Sequence, residues 1–503
     1  MRKIIFSVMT LIFSLTGSAQ SYDERIADAM NRSDWFALDS IYNEAPKDSI
    51  SPFLDVFSRC MIGNRLNRPD MSIPAFDTLF GNHAEELGLG NLINCSMMYS
   101  MDLSRIGENR QAADLLASIL PSVQEYLDSA WTTAIRNSID KYTALSKFRP
   151  YGISFENDAE GKIPFKIVPV GPKEKESVLM HLENSSINGA AADITFDTGA
   201  GVNVMSTSSA QEYGLIPLDA SSVVAGHGVQ SGYHAIAKEV KIGNITLTDV
   251  PFSVMDITSG NDEADKYVSS FMIVIGSETM LQLKELTLDF ISREITVPRQ
   301  APARSLTPPD MCFSSGMNLL AKGAIHDNPM LMNIDSGDAS YGSLNKKFFD
   351  NNKEYITARA KLDTVRSAGI GGFHISRCYN VPDMTLQLGG SKTVIPEITV
   401  GLEDTLPTTL DYECNLGLKS LMLFARIRFN MVDFTITTYH AHVSELVSPQ
   451  RKIQGFKFTD NKATLLQSAG TVAISIANGL MHLLHPSYSV AAFVQRRGNA
   501  VLT

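Results

Sequence analysis

The sequence predicts a mainly β fold of two similar halves, preceded by an α-helical region. Three observations carry this. The triplet Asp197-Thr198-Gly199, inside ITFDTGAG, is echoed 138 residues later by Asp335-Ser336-Gly337, inside MNIDSGDA. Each triplet follows an apolar-alternating run that reads as a strand, and ordered landmarks recur after both. The segment 20–147 instead carries helical periodicity with few strand signals.

In chain order, the first feature is the start. Arg2-Lys3, an apolar run from Ile4 to Leu15, and Gly17-Ser18-Ala19 before Gln20 read as a secretory signal over residues 1–19. The run is well short of the ~20 residues that a membrane span needs. The expectation is an exported protein, periplasmic or secreted. No cysteine follows the small residues to carry a lipid anchor.

Within 20–147, three triplets share one form: Ala37-x-Asp39-x-Ile41, Ala75-x-Asp77-x-Leu79 and Ala112-x-Asp114-x-Leu116. Their spacings of 38 and 37 residues suit helix hairpins, loosely like tetratricopeptide repeats, although a plain helical bundle fits as well. Trp35, Phe36, Phe76, Leu115 and Ile119 are the expected core, and the domain offers a surface for a protein partner.

Breakers from Pro150 to Pro172 mark a connection with a first strand pair. The first half then spans 160–298. It opens on a hairpin cue, Asn188-Gly189, and passes through Asp197 to a glycine-rich hairpin, Gly226-His227-Gly228. Tyr233-His234 and Val274-Ile275-Gly276 follow. Pro298 to Pro309, with four prolines, is the linker. The second half, 310–445, repeats the order: Asp327-Asn328, Asp335, Gly369-Ile370-Gly371, Phe373-His374 and Asn415-Leu416-Gly417. Leu286, Leu288, Phe290 and Ile295 stand 10, 12, 14 and 19 residues past Gly276, and Ile427, Phe429, Met431 and Ile436 stand at the same offsets past Gly417. The extension 446–503 loses the repeat, and Val472 to Leu484 reads as a packing helix or a poorly ordered end.

This duplicated arrangement resembles the aspartic proteases, as a single chain carrying both lobes of a pepsin- or retropepsin-like fold. The resemblance covers roughly residues 160 to 440. Asp-Thr-Gly-Ala matches the retropepsin-like form, the Gly-x-Gly hairpin matches the position of the family's flap, and Ile275-Gly276 and Leu416-Gly417 match the segments behind each catalytic loop. The resemblance implies an endopeptidase in which Asp197 and Asp335 are catalytic. Thr198, Gly199, Ser336 and Gly337 would brace the pair, and Gly226, His227, Gly228 and Tyr233 would cover the substrate. Whether Gly369 to Gly372 acts as a second flap depends on how symmetric the molecule is.

The residues support the same chemistry without the family. Two carboxyls on tight glycine loops that meet cannot both ionise cheaply, since like charges at ~3 Å repel, so they share a proton. One then deprotonates a water while the other donates to a carbonyl oxygen. Asp338 stands where Ala200 stands in the first half. A third carboxyl there would raise the pair's pKa values, bind substrate amides, or mark a loop that has left catalysis; it would otherwise face solvent or cap its own turn.

Other classes fit poorly. With 43 basic against 54 acidic residues the net charge is −11, which disfavours nucleic acid and anionic membranes. Zincin, P-loop, dinucleotide and G-x-S-x-G patterns are absent, so no cofactor is expected. His234 and His374 recur without further residues at metal spacing and read as strand-edge packing. The five cysteines are too few for a disulfide scaffold and odd in number, although export allows a bridge, either Cys60–Cys95 in the helical region or a pair among Cys312, Cys378 and Cys414, with at least one thiol left over. The expected partner is a polypeptide substrate. The rival readings are a catalytically dead peptide-binding relative, and a helical adaptor with a protease-like scaffold.

Overall fold

A computed structural model describes residues 20–170, 177–225, 229–256, 273–369, 372–403, 412–440 and 471–474. The expected signal segment 1–19 lies outside them. Seven helices fill the front region: α1 (Tyr22–Asn31), α2 (Trp35–Glu44), α3 (Pro52–Arg65), α4 (Pro69–Asn82), α5 (Ala84–Arg105), α6 (Asn109–Val123) and α7 (Ser129–Leu145). Local chemistry starts them. Ser21 and Glu24 form a capping box on α1, Asp34 and Asp128 cap α2 and α7, and proline opens α3 and α4. The three sequence triplets fall on α2, α4 and α6. Gly63 lets α3 meet α4, because a Cβ there would lie 2.5 Å from the Ser72 nitrogen.

The core of this region differs in part from expectation. Phe76 is fully buried, but Trp35, Phe36, Leu115 and Ile119 pack only against its edge, around Leu38, Leu79, Ala112 and Leu116. Trp35 and Phe36 are instead held by cations. Arg65 lies 5.3 Å over the Trp35 ring, and Lys322 Nζ lies 3.9 Å over Phe36. Lys322 belongs to the second half, so Phe36 serves the interface between regions. Cys312, Leu320 and Tyr412 of that half complete the helical core.

The β region is built twice on one plan. In the first half, Ile194–Phe196 runs into Asp197 and lies parallel to Ile273–Ile275, which lies antiparallel to Val204–Met205. In the second, Asn328–Asp335 lies parallel to Cys414–Gly417, which lies antiparallel to Gly342–Leu344. Long hairpins intervene in both, Ile216–Ala225 with Val229–Ile242 and Leu362–Gly369 with Gly372–Leu388. The strand Arg426–Asn430 joins the halves by pairing antiparallel with Glu285–Asp289. Leu286 faces Phe429 and Leu288 faces Ile427, while Thr287 faces Arg428. Equal offsets past Gly276 and Gly417 thus cross over, as a local two-fold axis through Thr287 and Arg428 demands.

Turn chemistry is mostly as read. Asn188 and Gly189 both take positive φ at a hairpin tip. In the second half, however, His326 and Asp327 take that conformation rather than Asp327 and Asn328, and Asn328 instead donates its side chain to the Ile325 and His326 carbonyls. All five cysteines are buried and none is in a disulfide, so neither the Cys60–Cys95 bridge nor a pair among the other three forms. At the C-terminal end, Thr471–Ile474 pair as a strand along Val365–Ala368 where a helix was an alternative reading; the rest of 446–503 lies outside the described residues. Among the described residues, no helix is long and apolar enough to cross a membrane.

Candidate active site

The two triplets meet at the junction of the halves. Each strand that delivers a carboxyl is buried along its final residues, so Asp197 and Asp335 arrive with no exposed surface. Four hydrogen bonds made by Thr198 and Ser336 then tie one loop to the other. The Thr198 amide donates to Ser336 Oγ at 2.9 Å, and the Ser336 amide donates to Thr198 Oγ1 at 3.0 Å. Thr198 Oγ1 donates to the Ile334 carbonyl at 2.7 Å, and Ser336 Oγ donates to the Phe196 carbonyl at 2.9 Å. Each hydroxyl both gives and accepts, so neither loop can shift without orphaning buried backbone groups of the other.

Glycines make the approach possible. A Cβ on Gly337 would lie 2.2 Å from Asp197 Oδ2 and 2.4 Å from its Cγ. Behind the loops, a Cβ on Gly276 would lie 2.4 Å from the Ala200 carbonyl oxygen, and one on Gly417 would lie 2.4 Å from that of Ser340. The amide after each glycine bonds the loop at equivalent positions: Ser277 donates to the Ala200 carbonyl at 2.7 Å, and Leu418 to the Asp338 carbonyl at 2.8 Å. This is the physical content of the two apolar-apolar-Gly steps.

The carboxyls are held differently. Asp197 Oδ1 accepts from the amides of Gly199, Ala200 and Gly337 at 2.9, 3.2 and 3.1 Å. Its Oδ2 is buried and has no hydrogen-bond partner among the described residues. Asp335 Oδ1 accepts from the amides of Gly337 and Asp338, both at 3.0 Å, and its Oδ2 accepts from Asn415 Nδ2 at 2.8 Å. Burial pushes the Asp197 pKa up to about 6, against the pull of its amide donors. Asp335 is pushed well above the usual carboxylate range by burial and by the charges of Asp197 and Asp338. The two titrate as a pair, with the proton held more tightly at Asp335.

Asp338 neither faces solvent nor leaves the site. It is buried, its Oδ1 accepts from the Ser340 amide and hydroxyl at 3.0 and 2.7 Å, and its Oδ2 accepts from Asn415 Nδ2 at 2.9 Å. It caps its own turn and shares an amide with Asp335. Asn415 was missed as a site residue. The signal was present, since Asn415 sits where the first half has Val274, in a step otherwise apolar.

Of the expected cover, Tyr233 lies half-buried on the strand Val229–Ile242, paired with Val254 and Ser221. Gly226, His227 and Gly228 at the tip of that hairpin lie outside the described residues. The His234 ring is buried beside Ser253 Oγ at 3.4 Å, and burial followed by the nearby Lys141 charge hold its pKa well below the usual value. Among the described residues, no cluster of three His, Cys, Asp or Glu is placed to hold a metal.

The family described as "gag-polyprotein putative aspartyl protease" matches residues 184–264. The matched segment contains Asp197 and the hairpin strands that carry Tyr233, and it stops short of the second half. No curated protein matches the chain. Residues 184–264 therefore carry the mark of a retropepsin-like aspartyl protease domain.

Proposed function

We propose that the protein is an exported aspartic endopeptidase whose two β halves form one two-lobed active site. The observation that carries this reading is the reciprocal bonding of the two loops, which sets two buried carboxyls against one another with a single proton favoured between them. In this reading Asp335 holds the proton. Asp197, whose Oδ1 is fixed by three amides, is the ionised base that takes a proton from water. Asp335 donates to the scissile carbonyl oxygen as water adds, giving a tetrahedral diol without a covalent enzyme intermediate. The Tyr233 hairpin covers an extended peptide that bonds as a strand. Residues 1–19 would direct export, and the paired helices of 20–147 would act as a hairpin-repeat surface for a protein partner.

Incubating the chain with a mixed peptide library from pH 3 to 7, beside Asp197→Asn and Asp335→Asn, tests the reading. Cleavage by the parent and none by either variant supports it. Folded parent protein that cleaves nothing at any pH overturns it in favour of peptide binding alone.

A further inference from the structure

A chain of buried amides leads away from the carboxyls in the second half. Asn415 Nδ2 donates to both Asp335 Oδ2 and Asp338 Oδ2. Asn333 Nδ2 donates to Asn415 Oδ1 at 2.7 Å, and Asn318 Nδ2 donates to Asn333 Oδ1 at 3.2 Å. Ser314 Oγ donates to Asn318 Oδ1 at 3.2 Å. Finally, Arg65 Nη1, from the last residue of α3, donates to the Ser314 carbonyl at 2.6 Å. Every side chain in this series is buried.

The polarity of the chain is forced from the carboxyl end. Asp335 holds the proton in the catalytic reading, so the direction is set by Asp338, which when ionised only accepts; Asn415 then presents its NH2 there and its oxygen to Asn333. Asn333 must then present its own NH2 to Asn415, and Asn318 to Asn333. All three amide dipoles align, with their positive ends toward Asp335 and Asp338, and each bond polarises the next. Among the described residues, the first half has no equivalent amide series. Val274 stands at the position of Asn415, Thr195 at that of Asn333, and Ala200 at that of Asp338. Two amides and a carboxyl, in place of a Val, a Thr and an Ala, build the chain in one half only.

We propose that this chain is a positioning device by which docking of the helical region fixes the Asn415 amide against Asp335 and Asp338. The proposal rests on the catalytic reading for its effect on activity, but the chain itself does not. Arg65 is the input, Ser314, Asn318 and Asn333 are the relay, and Asn415 is the output. The charged and titratable groups acting on the output end are Asp197 from the first loop, Asp335 and Asp338 themselves, and the buried Cys414 thiol beside them. With the relay cut, Asn415 is free to rotate its oxygen toward the carboxyls, which then lose a donor and hold their protons to higher pH.

The test is a carbon-13 titration of aspartate carboxyls in the full chain, comparing the parent with Asn318→Leu, Arg65→Met, the double variant and Arg65→Lys. Resonances are assigned with Asp335→Asn and Asp338→Asn. Expected are upward shifts of half a pH unit or more at Asp335 and Asp338 in both single variants. The double variant should shift no further than the larger single, and Arg65→Lys should restore part of the parent value. A pH profile of peptide cleavage, where cleavage is measurable, should move the same way. Ser314→Ala, which removes one hydroxyl, keeps the test intact where Asn318→Leu does not fold. Unmoved carboxyls in Asn318→Leu or Ser314→Ala overturn the relay. A shift in those variants with none in Arg65→Met overturns the link to the helical region. Additive shifts overturn a shared route. If the titrations move as expected while no variant or parent cleaves peptide, the relay stands and the protease reading fails.

Discussion

Replacing Ser336 with alanine removes one oxygen and leaves two buried groups without partners, the Thr198 amide and the Phe196 carbonyl. Replacing Thr198 with the isosteric valine leaves the Ser336 amide and the Ile334 carbonyl in the same position. A buried polar group stripped of its partner costs about 1–3 kcal/mol, so each single change should destabilise by about 2–6 kcal/mol. The two costs should be similar, because the four bonds are related by the local two-fold. The double variant should cost less than the two singles together, since loops already parted by the first change lose little at the second. Urea unfolding followed by far-ultraviolet circular dichroism provides the free energies. Tryptophan emission does not report this region, because Trp35 and Trp131 both lie in the helices. A cost below about 0.5 kcal/mol for either single change, the size of an ordinary surface substitution, would refute the claim that the hydroxyls hold the loops together.

Gly337→Ala should abolish peptide cleavage while leaving the helices folded, because the new Cβ falls 2.2 Å from Asp197 Oδ2; cleavage rates and circular dichroism check this together. Asp338→Ala, which installs the first-half residue, should move the alkaline limb of the cleavage profile to lower pH, because one of the charges raising Asp335, the group that must stay protonated, is gone. This is opposite to the shift expected from cutting the amide chain. Asp197 keeps its proton to about pH 6 when folded, against 3.8 for an unperturbed carboxyl. Its stabilising effect is therefore complete below about pH 4 and is lost as pH rises through 6, a fall of about 3 kcal/mol that Asp197→Asn should remove from urea midpoints measured at pH 4 and 7. With none of the five cysteines in a disulfide, dithiothreitol should leave the unfolding midpoint unchanged, and a drop on reduction would reveal a bridge.

The duplicated plan was legible because it rests on local rules. Glycine behind each loop is dictated by a carbonyl that a Cβ would strike, and the equal offsets of Leu286, Leu288, Ile427 and Phe429 survive as cross-paired positions in the joining sheet. The mutual bracing of Thr198 and Ser336 followed from two hydroxyls in equivalent triplets. What the sequence hid was set by tertiary context. Trp35 and Phe36 read as core because they are large and apolar, but they lie at its edge, Trp35 under Arg65 of α3 and Phe36 under Lys322 of the second half. For Asp338 a raised dyad, a capped turn, a solvated group and a drifted loop all stayed open in the sequence, because its partner Asn415 is 77 residues away, on a strand whose pairing no local pattern specifies. The amide chain stayed hidden for the same reason. Its members are spread from Arg65 to Asn415, and only the docking of α3 on the second half makes them neighbours.

The central claim is that Asp197 and Asp335 work as one unit on a water molecule. The direct measurement is kcat/KM on one cleaved peptide for the parent, Asp197→Asn, Asp335→Asn and the double variant. General acid–base contributions of this kind are worth about 10²–10⁴-fold, and residues acting as a unit lose most of it at the first substitution. The account predicts that either single variant falls at least about a hundredfold and that the double falls little further. A single variant that retains a tenth or more of the parent rate, or a double whose loss is the product of the singles, would contradict it.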